Sequence, residues 1–482
     1  MSSIKKNIGS GILYTAIGKY SNIFISLIVS AVLARLISPA EFGVVAIVLI
    51  FVTFFNLLSD FGIGPAIIQN KDLDEHDVKS IFSFSILLGV FFSLVFFLGA
   101  PLIASFYKNP ALLNITRLLS LSILFFSLNI VPNSILIKKL KFKQVGLIGS
   151  FIQLFTGALA VYLAYKGYSY YALVIKSICD GFFLFAAYFF LNPIGITWSI
   201  NMSSIKKIAR FSGYQFLFNF INYFSRNADS LLIGKYFGST SLGFYDRSYR
   251  LMMMPVQNLT HVITPVLLPV LSGYQDDKSR IFTQYLRIVN LLAIIGFPLS
   301  VFLYYTAPEI IEVVYGPLWI QSIPIFKLLA MTVGIQVVLS SSGSIFQVIN
   351  RTDLLFLSGL LSSILMVGGI AYGVFYTKTL EGVAYGLILS FVINFFQSFY
   401  ILIRLGLKTS FLVFLKTFGF SMLLSLGVFI VLGLIFPSNY FNIYYALLLK
   451  ALSSFVVFVA ILFSSSEYRT LILKSLKLKS FV

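Results

Sequence analysis

The chain has 482 residues, of which 59% are hydrophobic and only 11% charged, and it carries a formal net charge of +19 at pH 7. A soluble domain has about 25% charged residues, so a water-soluble globule is excluded. The single cysteine, Cys179, excludes an intrachain disulfide and a multi-cysteine metal site, and the basic residues sit in short connections between apolar blocks, which points away from nucleic acid.

The apolar blocks run to about 20–28 residues, the length a helix needs to cross ~30 Å of hydrocarbon. The ten-residue alternation of a membrane β-barrel is absent. Fourteen spans are predicted, at 9–34, 40–66, 80–106, 113–137, 144–166, 169–191, 209–236, 241–272, 281–306, 320–348, 354–376, 380–403, 408–436 and 441–463. The first follows Lys5 and Lys6 and ends near Ala34, in the manner of a signal peptide. Its length and the interruption at Lys19 mark it instead as a retained helix. Residues 71–77, the most acidic stretch, read as a solvated loop capping the third span, since their spacing matches no metal-ligand pattern. Gly62, Gly64 and Pro65, then Pro132, Pro255, Pro265, Pro269 and Pro298, interrupt spans. Such breaks are tolerated where a neighbour or a cavity satisfies the released carbonyls. The eighth span, with three prolines, is either a bending element or a static kink. The longest outer connection, 307–319, holds Glu309 and Glu312, and Trp319 reads as an interfacial anchor, as do the many Tyr near span ends.

With the N-terminus in the cytoplasm, 22 Lys and Arg fall on the inner side and 6 on the outer side. That bias places both ends inside and requires an even number of spans.

An internal repeat runs through this order. Residues 2–6 recur as 203–207, and about 200 residues separate Arg35 from Lys235 and Gly43 from Gly243. Arg117-Leu118-Leu119 and Ser134-Ile135 match Lys327-Leu328-Leu329 and Ser344-Ile345 at a spacing of 210. Two parallel six-span halves follow, 1–200 and 201–405, with two extra helices and a basic cytoplasmic tail at 406–482.

The polar residues inside spans form stripes. Gln215, Asn219, Asn222, Arg226 and Asp229 lie on one face of the seventh span, and Thr15, Lys19, Asn22 and Ser26 on the matching face of the first. Asp246, Arg250, Gln257, His261 and Thr264 line the eighth, with Arg247 beside them, and Asn56 and Asp60 lie one turn apart on the second. A charge at mid-bilayer costs at least about 2.5–3.5 kcal/mol, so a wet cavity between the halves is expected. Lys19, Asn22, Gln215, Asn219, Asn222, Arg226, Arg247 and Arg250 are the candidate substrate-binding residues, and Asp60 and Asp229 the candidate ion-coupling acids. The competing reading is that the neutral residues only join helices by hydrogen bonds, that Arg226 and Asp229 pair with each other, and that His261 is a bystander rather than a proton shuttle. Seven cations (Lys19, Lys176, Arg226, Arg247, Arg250, Lys327, Lys450) against four acids (Asp60, Asp180, Asp229, Asp246) favour an anionic cargo. Lys176 and Asp180 are spaced to pair, and Lys450 to snorkel.

The stretch Ala34-Arg35-Leu36-Ile37-Ser38-Pro39-Ala40-Glu41-Phe42-Gly43 resembles the first-loop signature of Wzx-type polysaccharide flippases, the polysaccharide transporter branch of the multidrug/oligosaccharidyl-lipid/polysaccharide exporter superfamily. Asp60-Phe61-Gly62-Ile63-Gly64 is similar to the end of that family's second helix, and residues 132–142 to its basic fourth-to-fifth connection. The most specific block is residues 229–234 with Leu242-Gly243-Phe244-Tyr245-Asp246-Arg247 and 269–272; Ser248 departs from the alanine common there. The resemblance implies an all-α membrane fold with two six-helix lobes around a central cavity plus two C-terminal helices. It implies a transporter rather than an enzyme, at work in surface polysaccharide synthesis (exopolysaccharide, capsule or lipopolysaccharide O-antigen) in the bacterial cytoplasmic membrane. Its cargo would be undecaprenyl-diphosphate-linked oligosaccharide, moved by alternating access, with H+ or Na+ coupling and no cofactor. Expected partners are this lipid-linked substrate, membrane lipids, a polysaccharide polymerase and glycosyltransferases, and no nucleic acid. A membrane glycosyltransferase or polymerase, and a drug or metabolite antiporter, are the alternatives.

Overall fold

The structure is a computed structural model, and it describes residues 2–70, 72–197, 223, 226–275, 277–435, 442–466 and 468, with side chains left out at 2–17, 261–266, 268–270 and 435. The described residues are helical almost throughout and contain no strand. They pack as two compact units, 1–243 and 244–482. The expected boundary at 200/201 lies outside the described residues.

Unit 1 holds α1 (Ser2–Leu36), α2 (Pro39–Asp60), α3 (Ile63–Gln69), α4 (Glu75–Phe106), α5 (Ala111–Lys138), α6 (Phe142–Tyr165), α7 (Tyr171–Leu191), α8 (226–236) and the first six residues of α9 (Gly238–Leu271). The α5 helix is its hub, packed on α2, α3, α4 and α7. Small residues allow this. Ser127 donates to the Ser85 carbonyl at 2.6 Å, Ser93 donates to the Ser120 carbonyl at 2.8 Å, and Gly89 packs against Ser127. At one end of the unit, Ile67, Phe82, Val131 and Ile194 share an apolar cluster. The segment after α7 is held there: Lys139 Nζ donates to Asn192 at 2.6 Å and the Thr197 N–H to Ser83 at 2.9 Å.

Unit 2 holds the rest of α9, α10 (Lys278–Tyr305), α11 (Ala307–Tyr315), α12 (Ser322–Ala330), α13 (Val333–Leu339), α14 (Ser342–Val348), α15 (Thr352–Ala371), α16 (Leu380–Tyr400), α17 (Phe411–Lys416), α18 (Gly419–Ile430) and α19 (Ile443–Ser464). The α10 helix packs on α12, α13 and α18, while α15 lies along α16. Gly369 and Gly386 bring those two backbones together, since a Cβ on Gly386 would lie 2.1 Å from the Gly369 oxygen. The expected C-terminal helix pair is not set apart, because α18 packs on α10 and α19 on α11.

Among the described residues eleven helices are long and apolar enough to cross a membrane, or twelve if the pair Ser322–Ala330 and Val333–Val348, bent by 46°, is one span. The expected fourteen are therefore not all reached. Most of the seventh lies outside the described residues. The eighth, α9, has 34 residues, roughly 50 Å, and part of it falls among residues whose side chains are left out. The tenth, read as one helix over 320–348, is three short helices with breaks at Met331-Thr332 and Ser340-Ser341. The break in the second span falls where glycine was expected to permit it: Phe61 and Gly62 adopt φ of 42° and 75° between α2 and α3.

Helix starts carry their caps. Ser38 and Glu41 form a capping box on α2, and Asp74 and Asp77 form one on α4, as the loop reading required. Asp74→Ala is expected to lower the stability of the detergent-solubilised chain by about 1 kcal/mol, measured as a shift of the thermal unfolding midpoint, while Asp72→Ala leaves it unchanged.

Candidate functional site: charged residues within the membrane helices

Within unit 1, Lys19 and Asn22 are half-buried on α1, which lies along α6. Gly18 meets Gly146 so closely that an added Cβ would lie 2.9 Å from the Gly146 Cα. One turn on, the Asn22 amide occupies the space left by the missing side chain of Gly149, and its Oδ1 is buried with no donor among the described residues. Asn22 thus packs between two helices, the joining role that competes with substrate binding. The stripe residues Gln215, Asn219 and Asn222 lie outside the described residues, as do the side chains of His261 and Thr264. Arg226, at the start of α8, is exposed, whereas Asp229 is buried and its Oδ1 accepts from the Ser230 N–H at 2.6 Å.

Asp60, the other coupling candidate, stands at the α2–α3 break. Its Oδ1 accepts from the Gly64 N–H at 3.3 Å, so the carboxylate satisfies an amide that the break leaves without a helical partner. Asn56, one turn earlier, has a buried Oδ1 with no donor among the described residues. Lys176 pairs with Asp180 at 2.6 Å, as its spacing predicts, and Thr156 of α6 donates to the same carboxylate.

The block Phe244–Arg250 is a structural junction within unit 2. Phe244 packs edge-on against Trp319, Ser248 donates to the Ser322 carbonyl at 3.0 Å, and Ser322 donates to the Phe244 carbonyl at 3.2 Å. The Arg250 Nε donates to both oxygens of Asp246 at 2.8 Å. Arg247 hydrogen-bonds the buried Tyr315. Both candidate arginines of α9 therefore have partners inside the protein. Trp319 is 0% exposed, which corrects its reading as an interfacial anchor: it packs on Tyr315 and Phe244. Tyr162, Tyr165, Tyr376, Tyr444 and Tyr445, by contrast, are exposed near helix ends.

Two further cations are accounted for. Lys327 lies 4.5 Å from the centre of the Tyr304 ring. Lys450 does not snorkel; it is 8% exposed and pairs with Glu309, which is equally buried. Glu309 had been assigned to an outer loop, but 307–315 is a helix and its carboxylate is turned inward. Nothing in the sequence links two residues 141 positions apart. After this pairing, Lys19 and Arg226 are the candidate cations with no carboxylate or ring partner among the described residues.

The first-loop signature has a local role as well. The Glu41 Oε2 accepts from the Ser38 N–H at 2.8 Å and from its hydroxyl at 2.7 Å, and Oε1 accepts from Ser169 in the α6–α7 turn. This signature and the Phe244–Arg250 block fall within residues 32–324, which match the profile of the family described as polysaccharide biosynthesis protein.

The chain belongs to the polysaccharide biosynthesis protein family.

Relatives of nearly full length agree. The teichuronic acid biosynthesis protein TuaB of Bacillus subtilis (strain 168) is 26% identical over 427 residues, covering 87% of each chain. The lipopolysaccharide biosynthesis protein WzxC of Escherichia coli (strain K12) is 25% identical over 438 residues, covering 89% of this chain and 87% of that one. The succinoglycan biosynthesis transport protein ExoT of Rhizobium meliloti (strain 1021) is 21% identical, covering 77% and 74%. Among solved structures, the lipid II flippase MurJ in an inward closed conformation shares the fold at a TM-score of 0.76 and 16% identity, covering 96% of this chain and 100% of that one. An inward-facing multidrug resistance MATE family transporter shares it at 0.62, covering 82% and 96%. This family member is a multi-pass helical membrane protein with a transporter fold.

Proposed function

We propose that this chain is a flippase that carries an undecaprenyl-diphosphate-linked oligosaccharide across the bacterial cytoplasmic membrane during surface polysaccharide synthesis. Membership of the family over more than half the chain carries the reading, and it is supported by relatives named for polysaccharide biosynthesis and, in one case, transport. In this account alternating access exposes the bound headgroup to each side of the membrane in turn. Lys19 and Arg226 hold the diphosphate, because they are the candidate cations that no carboxylate or ring takes up among the described residues. Arg247 and Arg250 contribute through the junction they build, and the stripe amides meet sugar hydroxyls. Asp60 and Asp229 are the acids through which H+ or Na+ couples. Both termini lie in the cytoplasm, and glycosyltransferases of the same pathway act before the flipping step and a polymerase after it. A membrane glycosyltransferase fits less well, because one of the two acids in the long outer connection, Glu309, is buried and paired.

The test is complementation. Cells lacking their own flippase should regain surface polymer and cease to accumulate the lipid-linked intermediate when this chain is expressed with its cognate glycan genes. Arg226→Ala should lower polymer output by about tenfold or more with unchanged protein in the membrane. Wild-type polymer levels from Arg226→Ala would remove that residue from the binding role.

A further inference from the structure

The sequence treats α18 and α19 as an appendage, but Lys450 enters the core of unit 2 at a defined electrostatic node. Its Nζ donates to the Tyr305 carbonyl at 3.2 Å and pairs with Glu309 Oε1. Tyr305 is the last residue of α10, and Glu309 lies in the first turn of α11. A helix C-terminus carries partial negative charge and favours a cation. The ammonium of α19 therefore fills the corner where α10 ends and α11 begins, against one carbonyl and one carboxylate. No other element supplies an ionic partner to Glu309 among the described residues. The second carboxylate oxygen, Oε2, is buried with no donor there, so Lys450 alone compensates the charge of Glu309.

Three features show that more than fastening is built here. An apolar pair would join two membrane helices without the desolvation that ions incur. The attraction also depends on the α10–α11 angle, because Lys450 bonds to both sides of that corner. And the helix is eased at the same level: Ser453 and Ser454 both donate to the Lys450 carbonyl, at 3.1 and 2.7 Å, and such back-bonding bends helices. Elsewhere α19 is held by packing, with Gly427 of α18 against Val457 and Ile461, and by Tyr468 beyond its end, which accepts from Asn290 and stacks on Phe420.

We propose that Glu309 and Lys450 are a positioning pair for transport: they make α19 follow the α10–α11 corner, so that the C-terminal helix pair is a moving part of the transporter. The proposal rests on the flippase reading for its transport readout, so a second readout independent of transport is needed. Lys450→Met, Glu309→Gln and the exchanged pair Glu309→Lys/Lys450→Glu are compared in the full chain, reconstituted in vesicles with a lipid-linked oligosaccharide. Hydrogen–deuterium exchange across 443–455 is followed in the same samples. Each single variant should slow headgroup translocation by about tenfold or more, with half-saturation unchanged, and should speed exchange in α19. The exchanged pair should reverse both effects in part, since it restores the ion pair but not the bond to the Tyr305 carbonyl. Single variants that match the wild type in rate and exchange would overturn the proposal, as would an exchanged pair that restores slow exchange but leaves transport as slow as in the single variants. If the wild-type chain moves no headgroup at all, the flippase reading fails, and the exchange data decide only the structural half: a rise in the single variants that the exchanged pair reverses shows that the pair holds α19 to the corner, and no rise sinks the proposal outright.

Discussion

Adding one methyl group at Gly43 or at Gly243 is expected to destabilise the chain by about 1–3 kcal/mol or more. A Cβ on Gly43 would lie 1.7 Å from the Ser239 oxygen, and one on Gly243 would lie 2.0 Å from the Pro39 oxygen. Neither obstacle is the end of a flexible side chain; both are backbone, so the helix starts of α2 and α9 must move apart to admit the methyl. The contact is reciprocal: residue 43 meets 239 and residue 243 meets 39, the same two positions taken 200 residues apart. Thermal unfolding in detergent measures the effect. Gly359→Ala is the control, because nothing lies within 4 Å of its Cβ position; it should leave the midpoint unchanged or raise it slightly, since alanine favours the helix. Equal midpoints for Gly43→Ala and Gly359→Ala would mean that the crossing is loose.

Asp180→Asn is expected to cost about 3 kcal/mol, the low end for breaking a buried pair, because the two side chains keep some exposure. The substitution leaves Lys176 of α7 without its 2.6 Å partner inside a membrane helix and weakens the bond from Thr156 that joins α6 to α7. The double variant Lys176→Met/Asp180→Asn removes the unpaired charge and should recover most of the loss. Thermal unfolding of wild type, both single variants and the double variant forms a complete cycle, and additive losses would show that the pair contributes no coupling.

The spans were legible because hydropathy and length act locally: the ends of α4, α5, α6 and α7 fall within a few residues of their predicted positions. The sequence matches Gly43 with Gly243 at a spacing of 200, and the crossing of α2 and α9 explains why glycine is needed at both. Other features depend on partners far along the chain. Lys450 resembles a snorkelling lysine until Glu309 is placed beside it, and Trp319 resembles a membrane anchor until Phe244 covers it. The bend in the tenth span escaped notice because its breaks contain no proline or glycine, only Met331-Thr332 and Ser340-Ser341. At the candidate site, periodicity groups polar residues on the first, seventh and eighth predicted spans, but it could not separate Arg250, already paired with Asp246, from Lys19, which has no carboxylate partner among the described residues. Helical spacing reports which face a residue occupies, not what meets it there.

Movement of a lipid-linked glycan between leaflets by this chain is measurable after reconstitution. Purified protein in vesicles carrying a fluorescent undecaprenyl-diphosphate oligosaccharide in both leaflets is challenged with an impermeant enzyme that cleaves the exposed headgroup. Cleavage should proceed past the outer-leaflet fraction to near completion, and stop at that fraction in protein-free vesicles. Cleavage that halts at the outer-leaflet fraction in both, with the protein folded and correctly inserted, would contradict such movement.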